Sequence, residues 1–249
     1  MGFLSILGNN LYSEVAGHGA PMLLLHGGFC SLESLRAQSD ALGDSHTVLA
    51  YERPGHGRSA DIEGEYSYLS GVDEALAYLD ANGIESAHIV GYSDGAIIGL
   101  MLAHLHPSRV RSLVAISGNL DAAGFSFSPS SAPQLSPLEG TPGQERAYYD
   151  AVSPDGPAHG DVVMEKLMRL WATSPAIDPA SLATITSPVL IMSGDHDSIR
   201  VDHSLLIAAS IPGAQLCIVP GATHGLVAEK PALIAAVIRE FLAGVDPRQ

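Results

Sequence analysis

The sequence predicts an α/β fold with a mostly parallel sheet and helices on both faces. Three observations carry that reading. Short continuous apolar runs such as Pro21-Met22-Leu23-Leu24-Leu25 have the length and composition of strands buried on both faces. Helical periodicities separate these runs, as crossovers between parallel strands require. The run from Ser86 to Val90 passes through Gly91-Tyr92-Ser93-Asp94-Gly95 straight into the apolar run Ala96 to Leu105, which marks a strand turning sharply into a buried helix.

In chain order, Phe3 to Leu7 and Leu11 to Val15, split by Gly8-Asn9-Asn10, form a hairpin. Pro21 to Leu25 ends in His26-Gly27-Gly28-Phe29, a glycine-rich loop that lets backbone N–H groups approach a ligand. Thr47 to Tyr51 is the next strand and ends in the polar turn Glu52 to Ser59, most of which reads as structural. Val72, Leu76 and Leu79 recur at helical spacing between Ser70 and Asn82, with Ser70 and Asp73 as a capping box and Gly83 as the stop. After the Ser93 turn and its helix comes a strand at Leu113 to Ile116.

From Gly118 to about Pro188 the character changes. Ser126 to Pro142 is dense in Ser, Pro and Gly and could be mobile, and Val162 to Trp171 is a helix with Leu167, Leu170 and Trp171 on one side. One domain is expected, with a core of 1–119 and 186–249 and a short helical cap or lid over about 120–185. The strand pattern resumes at Pro188 to Met192, ending in Gly194-Asp195-His196-Asp197, and at Gln215 to Val219, ending in Gly221-Ala222-Thr223-His224. A last amphipathic helix opens at Pro231 and presents Leu233, Ile234, Val237, Ile238, Phe241 and Leu242, with Gly244 past its end.

The chain has 249 residues, 46% hydrophobic and 16% charged, which excludes disorder. Twelve Lys and Arg against 27 Asp and Glu give a formal charge of −15, unsuited to nucleic acid or an anionic membrane surface. No apolar run is long enough to span a bilayer, and Met1 to Gly8 lacks the basic start and apolar stretch of a signal peptide, so the cytoplasm is the expected compartment. Two cysteines, Cys30 and Cys217, support neither a disulfide framework nor a cysteine metal site. Neither a metal nor a cofactor is expected, and the partner is a small-molecule substrate.

The polar strand tips carry the chemistry, because ligands in parallel α/β sheets bind at the carboxyl ends of the strands. At the Gly91-to-Gly95 turn only glycine fits on either side, and Ser93 takes a strained backbone that exposes its hydroxyl. The unpaired amides of the first helical turn after Ser93 offer a donor to a developing oxyanion. The amide of Gly28, or that of Phe29, is the candidate second donor. Ser93, Asp197 and His224 follow in the order of one known catalytic triad.

Through His26-Gly27-Gly28, Gly55-His56-Gly57-Arg58-Ser59, Gly91-Tyr92-Ser93-Asp94-Gly95, Gly194-Asp195-His196-Asp197 and Gly221-Ala222-Thr223-His224, the chain resembles the α/β-hydrolase fold family over nearly its whole length. The resemblance says little about the cap. It implies Ser93 as nucleophile, the last Asp of the G-x-x-D turn, Asp197, as the acid, and His224 as the base. Asp121 occupies the place from which some members supply the acid and is the main alternative, whereas Asp195 reads as a turn cap. In similar proteins the position of Glu52 usually carries Asp, and His26 more often props its loop. Serine at 93 argues against the haloalkane dehalogenase branch, which has an aspartate there. Elbows with Asp after the serine occur in the valacyclovir-hydrolase-like branch, where that Asp helps bind an ammonium. Asp94 is therefore either a helix first-turn carboxylate or a substrate-binding residue, with Trp171 a second substrate contact on the lid.

His104 and His106, two apart on a helix, cannot face one ligand together. Cys30 reads as a loop packing residue. The leading function is a cofactor-free serine hydrolase acting on a small carboxylic ester. The same constellation serves amidases, thioesterases, lactonases, carbon–carbon bond hydrolases and perhydrolases, and a ligand-binding receptor with residual hydrolysis could retain it. The oligomeric state, the acyl group and the alcohol are not legible.

Overall fold

A computed structural model describes residues 1–126 and 142–245 of the chain. Eight strands form one sheet in the order β1-β2-β4-β3-β5-β6-β7-β8. The first two, β1 (Gly2–Ile6) and β2 (Asn9–Gly17), make the expected antiparallel hairpin, and β2 also runs antiparallel to β4 (His46–Tyr51). The remaining strands, β3 (Ala20–Leu25), β5 (Ala87–Tyr92), β6 (Val110–Ile116), β7 (Val189–Gly194) and β8 (Gln215–Val219), are parallel with β4 and with one another. Their carboxyl ends therefore share one edge, where the polar tips lie.

The unbroken apolar runs follow from helices on both faces. Leu23, Leu25, Leu49, Ile89, Leu113 and Ile191 pack on one side with α2 (Tyr68–Ala81) and α3 (Asp94–Leu105). Met22, Leu24, Val48, Val90, Val114 and Met192 point the other way, toward α7 (Leu226–Glu229) and α8 (Pro231–Val245). The two-residue period of a strand sends successive side chains to opposite cores, so both parities must be apolar.

Two terminus assignments are corrected. The Ser67 side chain, not Ser70, caps α2, accepting from the Ser70 N–H at 3.0 Å, which starts the helix three residues early. Gly244 lies inside α8, which continues to Val245. Gly83 does follow α2 with φ +69°, the left-handed conformation expected just beyond a helix.

Among the described residues four α-helices were not anticipated: α1 (Arg36–Leu42), α4 (Pro142–Val152), α6 (Val201–Ser210) and the short α7. Between β6 and β7 the chain carries α4 and α5 (Gly160–Thr173). Tyr149 of α4 and Val163, Leu167 and Leu170 of α5 join the same core as α2 and α3. Lys166 of α5 reaches Asp61 at 2.7 Å and the Ile62 carbonyl at 2.6 Å, and His159 reaches Asp61 at 2.8 Å. The expected mobile Ser/Pro/Gly entry, Ser126 to Pro142, falls almost wholly outside the described residues.

Candidate active site

The turn after β5 is as tight as its glycines imply. A Cβ on Gly91 would stand 2.1 Å from the Gly95 carbonyl oxygen, and one on Gly95 would stand 2.0 Å from that of Leu25. Ser93 between them has φ 54° and ψ −117°, a backbone that L-residues rarely adopt. Its own N–H is tied to the Ile116 carbonyl of β6 at 2.8 Å. The Ser93 carbonyl accepts from Ala96 and Ile97, which leaves the N–H groups of Asp94 and Gly95 at the open end of α3.

The structure brings Ser93, His224 and Asp197 together from three separate strand ends. His224 Nε2 is 3.0 Å from Ser93 Oγ, and His224 Nδ1 is 2.7 Å from Asp197 Oδ1. His224 and Asp197 are 4% and 8% exposed. Burial pushes the Asp197 carboxyl up, but the His224 charge and hydrogen bond, the Ile199 N–H and the Ser117 hydroxyl outweigh it and hold the group below its ordinary value. Ser117 Oγ donates to Asp197 Oδ2 at 2.5 Å and Ile199 N–H to Oδ1 at 3.0 Å. A carboxylate on Nδ1 fixes the imidazole with its Nε2 lone pair toward Ser93.

The rival acids lie elsewhere. Asp121 caps a short helical turn, accepting from the Ala123 N–H at 2.8 Å. Asp195 accepts from the Ala222 N–H at 3.1 Å and so ties the β7 tip to the β8 tip.

Gly27 and Gly28 face the serine turn. A Cβ on Gly27 would stand 3.2 Å from Ser93 Cβ, and one on Gly28 would meet Trp171 Cζ2 at 2.5 Å and Asp94 Oδ2 at 2.6 Å. Phe29 follows with φ 54° and stacks on Tyr149 of α4, their centroids 5.4 Å apart. Among the described residues, the N–H groups of Gly28 and Asp94 donate to no protein group.

Asp94 is 2% exposed and already supplied with donors. Its Oδ1 accepts from Tyr68 OH and from Trp171 Nε1, each at 2.9 Å. Its Oδ2 accepts no hydrogen bond among the described residues and lies 3.7 Å from Arg53 Nη2. The cation facing this carboxylate is thus a side chain of the protein. Trp171 is placed over Gly28 by its bond to Asp94, so both residues expected to touch substrate also touch each other.

His26 props its loop. Arg53 N–H donates to His26 Nε2 at 3.0 Å, so the imidazole proton is on Nδ1, which donates to the Gly27 carbonyl at 2.7 Å. Burial, with Arg53 and His56 adding to it, lowers the His26 pKa well below the ordinary range and keeps the ring neutral. Cys30 stays a thiol, since burial, then Glu145 and Asp94, raise its pKa well above the ordinary value. Glu52 turns back into its own loop, accepting from Arg58 N–H at 2.5 Å and Arg58 Nη1 at 2.9 Å. Its carboxylate leaves no room for a Cβ at Gly57, whose φ is 53°. The longer side chain is absorbed in that turn, away from Ser93.

Sequence reasoning passed over Ser117, Arg53, Tyr68 and Tyr92. Tyr92 OH donates to the His224 carbonyl at 3.0 Å and so steadies the loop that carries the imidazole. Each is a single polar residue at a strand tip or helix start, with no motif of its own in the notation that marks the serine turn.

The alpha/beta hydrolase family profile matches residues 22–237. A putative carbamate hydrolase RutD from Azorhizobium caulinodans is 30% identical over 255 residues, spanning 95% of this chain and 96% of the relative. A 2-hydroxymuconate semialdehyde hydrolase from Pseudomonas sp. is 28% identical, spanning 93% of this chain and 89% of that protein. Among solved structures, a meta-cleavage product hydrolase from Pseudomonas fluorescens, CumD, superposes with a TM-score of 0.84 at 23% identity, over 99% of this chain and 98% of that one. The protein belongs to the alpha/beta hydrolase family and has its fold. It is accordingly a hydrolase, and no helix among the described residues is long and apolar enough to cross a membrane.

Proposed function

We propose that the protein is a serine hydrolase that cleaves a small carboxylic ester through an acyl-enzyme, with Ser93 as nucleophile, His224 as base and Asp197 as the acid that orients it. The observation that carries this reading is the continuous chain from Ser93 Oγ to His224 Nε2 at 3.0 Å and from His224 Nδ1 to Asp197 Oδ1 at 2.7 Å. Asp197, held as a carboxylate, keeps the His224 proton on Nδ1. His224 Nε2 takes the Ser93 proton as Oγ bonds to the ester carbonyl carbon. The carbonyl oxygen becomes an oxyanion between the N–H of Gly28, or that of Phe29, and the N–H of Asp94. Collapse breaks the bond to the alcohol oxygen, which leaves with the proton from His224. Water then attacks the acyl carbon, giving a proton to His224; the bond from that carbon to Ser93 Oγ breaks as His224 returns the proton to Oγ, and the acid departs.

In the proposed cap over about 120–185, Trp171 of α5 forms with Asp94 the wall over Gly28. A second reading is favoured by the names of the relatives: a carbamate or a meta-cleavage product would meet the same serine. The test is a panel of p-nitrophenyl esters of graded acyl length beside a carbamate and a meta-cleavage product. Fluorophosphonate labelling of wild type and Ser93→Ala accompanies it. Turnover of esters that vanishes with Ser93→Ala, together with labelling, supports the leading reading. Preferential turnover of either other substrate moves the protein to the second, and ester turnover kept by Ser93→Ala overturns both.

A further inference from the structure

The polar turn after β4 sends one side chain back under the oxyanion loop. Arg53 is 8% exposed, and its Nη2 donates to the Gly27 carbonyl at 2.9 Å and to the His26 carbonyl at 3.3 Å. The same Nη2 lies 3.7 Å from Asp94 Oδ2. A buried charge is normally paired and hydrogen-bonded. Among the described residues this guanidinium has one carboxylate beyond hydrogen-bond distance, two loop carbonyls, and an Nε with no hydrogen-bond partner.

The Gly27 carbonyl matters because it belongs to the same peptide unit as the Gly28 N–H. In a trans peptide the two point in opposite directions. That carbonyl oxygen accepts from Arg53 Nη2 at 2.9 Å and from the neutral His26 Nδ1–H at 2.7 Å. The Gly28 N–H is thereby turned away from Arg53, while Gly27 itself lies against Ser93. A cation on the carbonyl end also draws electron density from the amide and strengthens its N–H as a donor.

We propose that Arg53 is a positioning residue of the oxyanion hole. Its guanidinium, anchored by Asp94, fixes and polarises the Gly27–Gly28 peptide so that the Gly28 N–H is ready to receive the developing negative charge. This inference rests on the acyl-transfer reading above. It also gives Asp94 a task unrelated to substrate amines: its carboxylate balances Arg53 and, through Trp171, connects the cap to the loop.

The test compares Arg53→Met/Asp94→Asn with Asp94→Asn alone, so that no buried carboxylate is left without its cation. Two inhibitors of equal shape serve as probes: a trifluoromethyl ketone, which adds the serine and places an oxyanion in the hole, and the methyl ketone, which does not. Losing Arg53 is expected to lower kcat on p-nitrophenyl acetate by about ten- to a hundredfold, less than removal of a whole oxyanion donor. KM stays within about twofold, and the affinity ratio of trifluoromethyl to methyl ketone falls by the same factor as kcat. Should the double variant not fold, Arg53→Lys keeps the charge beside Asp94 and is expected to lower the same ratio by a smaller factor. A folded variant with an unchanged ketone ratio overturns the role of Arg53 whatever happens to its melting temperature. Activity that survives Ser93→Ala would instead remove the acyl-transfer reading underneath, so the two failures are distinguishable.

Discussion

Ser117 holds Asp197. Its hydroxyl lies 2.5 Å from Asp197 Oδ2, and its backbone has φ 55°, as strained as that of Ser93 itself. Two neighbouring parallel strands, β5 and β6, thus end in serines with left-handed backbones, one facing His224 and the other facing its carboxylate. Ser117→Ala and Ser117→Gly both lose the hydroxyl, but only glycine is at ease at this φ. The glycine variant is expected to be the more stable of the two by about 1 kcal/mol in denaturant titration. In both, the Asp197 carboxyl loses one of the donors that hold it below its ordinary value, so its pKa should rise.

The choice among acids is decided by three substitutions. Asp197→Asn is expected to cost on the order of 10⁴ in kcat, because an amide at Nδ1 stabilises the wrong tautomer. Asp195→Asn and Asp121→Asn should each stay within about tenfold of wild type, their carboxylates being engaged with Ala222 and Ala123 N–H groups. A dead Asp121 variant beside an active Asp197 variant would reassign the acid.

Trp171 and Asp94 should behave as a pair. Trp171→Ala removes the roof over Gly28 and is expected to change selectivity along a series of acyl lengths more than it changes kcat/KM on the acetate. With Asp94 enclosed by Tyr68, Trp171 and Arg53, Asp94→Asn should lower turnover of α-aminoacyl esters and of their des-amino analogues in parallel. A loss confined to the amino substrates would return Asp94 to the role of ammonium ligand.

Glu74 should cost the fold stability as pH rises above the ordinary carboxylate range. Burial pushes Glu74 on α2 up to about 7, with Arg53 opposing and Asp73 adding to the shift. An acid whose folded pKa exceeds its unfolded value contributes fully below about pH 4.5 and loses that contribution as pH passes through 7. Glu74→Gln cannot ionise. Measured by urea unfolding at pH 4 and pH 8, the variant should gain on wild type by about 3 kcal/mol across that interval.

Where burial follows periodicity, the fold was legible in the sequence, and where it does not, elements were missed. The strands declared themselves because both parities are apolar. α6 hid because its pattern is inverted: His203 and Ser204 are buried while Leu205 and Leu206 are exposed at 55% and 42%. His203 is inside because its Nε2 accepts from the Leu120 N–H at 2.9 Å, a long-range need that no local window contains. α1 is similar, with Gln38 fully buried to reach the Val227 carbonyl at 2.9 Å. At the site, Ser93, Asp197 and His224 were readable since each ends a strand in a motif. Ser117 and Arg53 were not, for each acts on a partner that only the sheet order brings near.

The placement of Trp171 carries a consequence for how this protein can be observed. Trp171 is the only tryptophan in 249 residues, and its indole N–H is bonded to the residue that follows Ser93. All intrinsic indole fluorescence therefore originates beside Gly28, where a carboxylate and a guanidinium make a strongly polar surround. Acylation at Ser93, a shift of α5 or an inhibitor seated under the cap would each alter emission from this one fluorophore without any label. Stopped-flow mixing of unmodified enzyme and substrate can thus time the events at the serine directly.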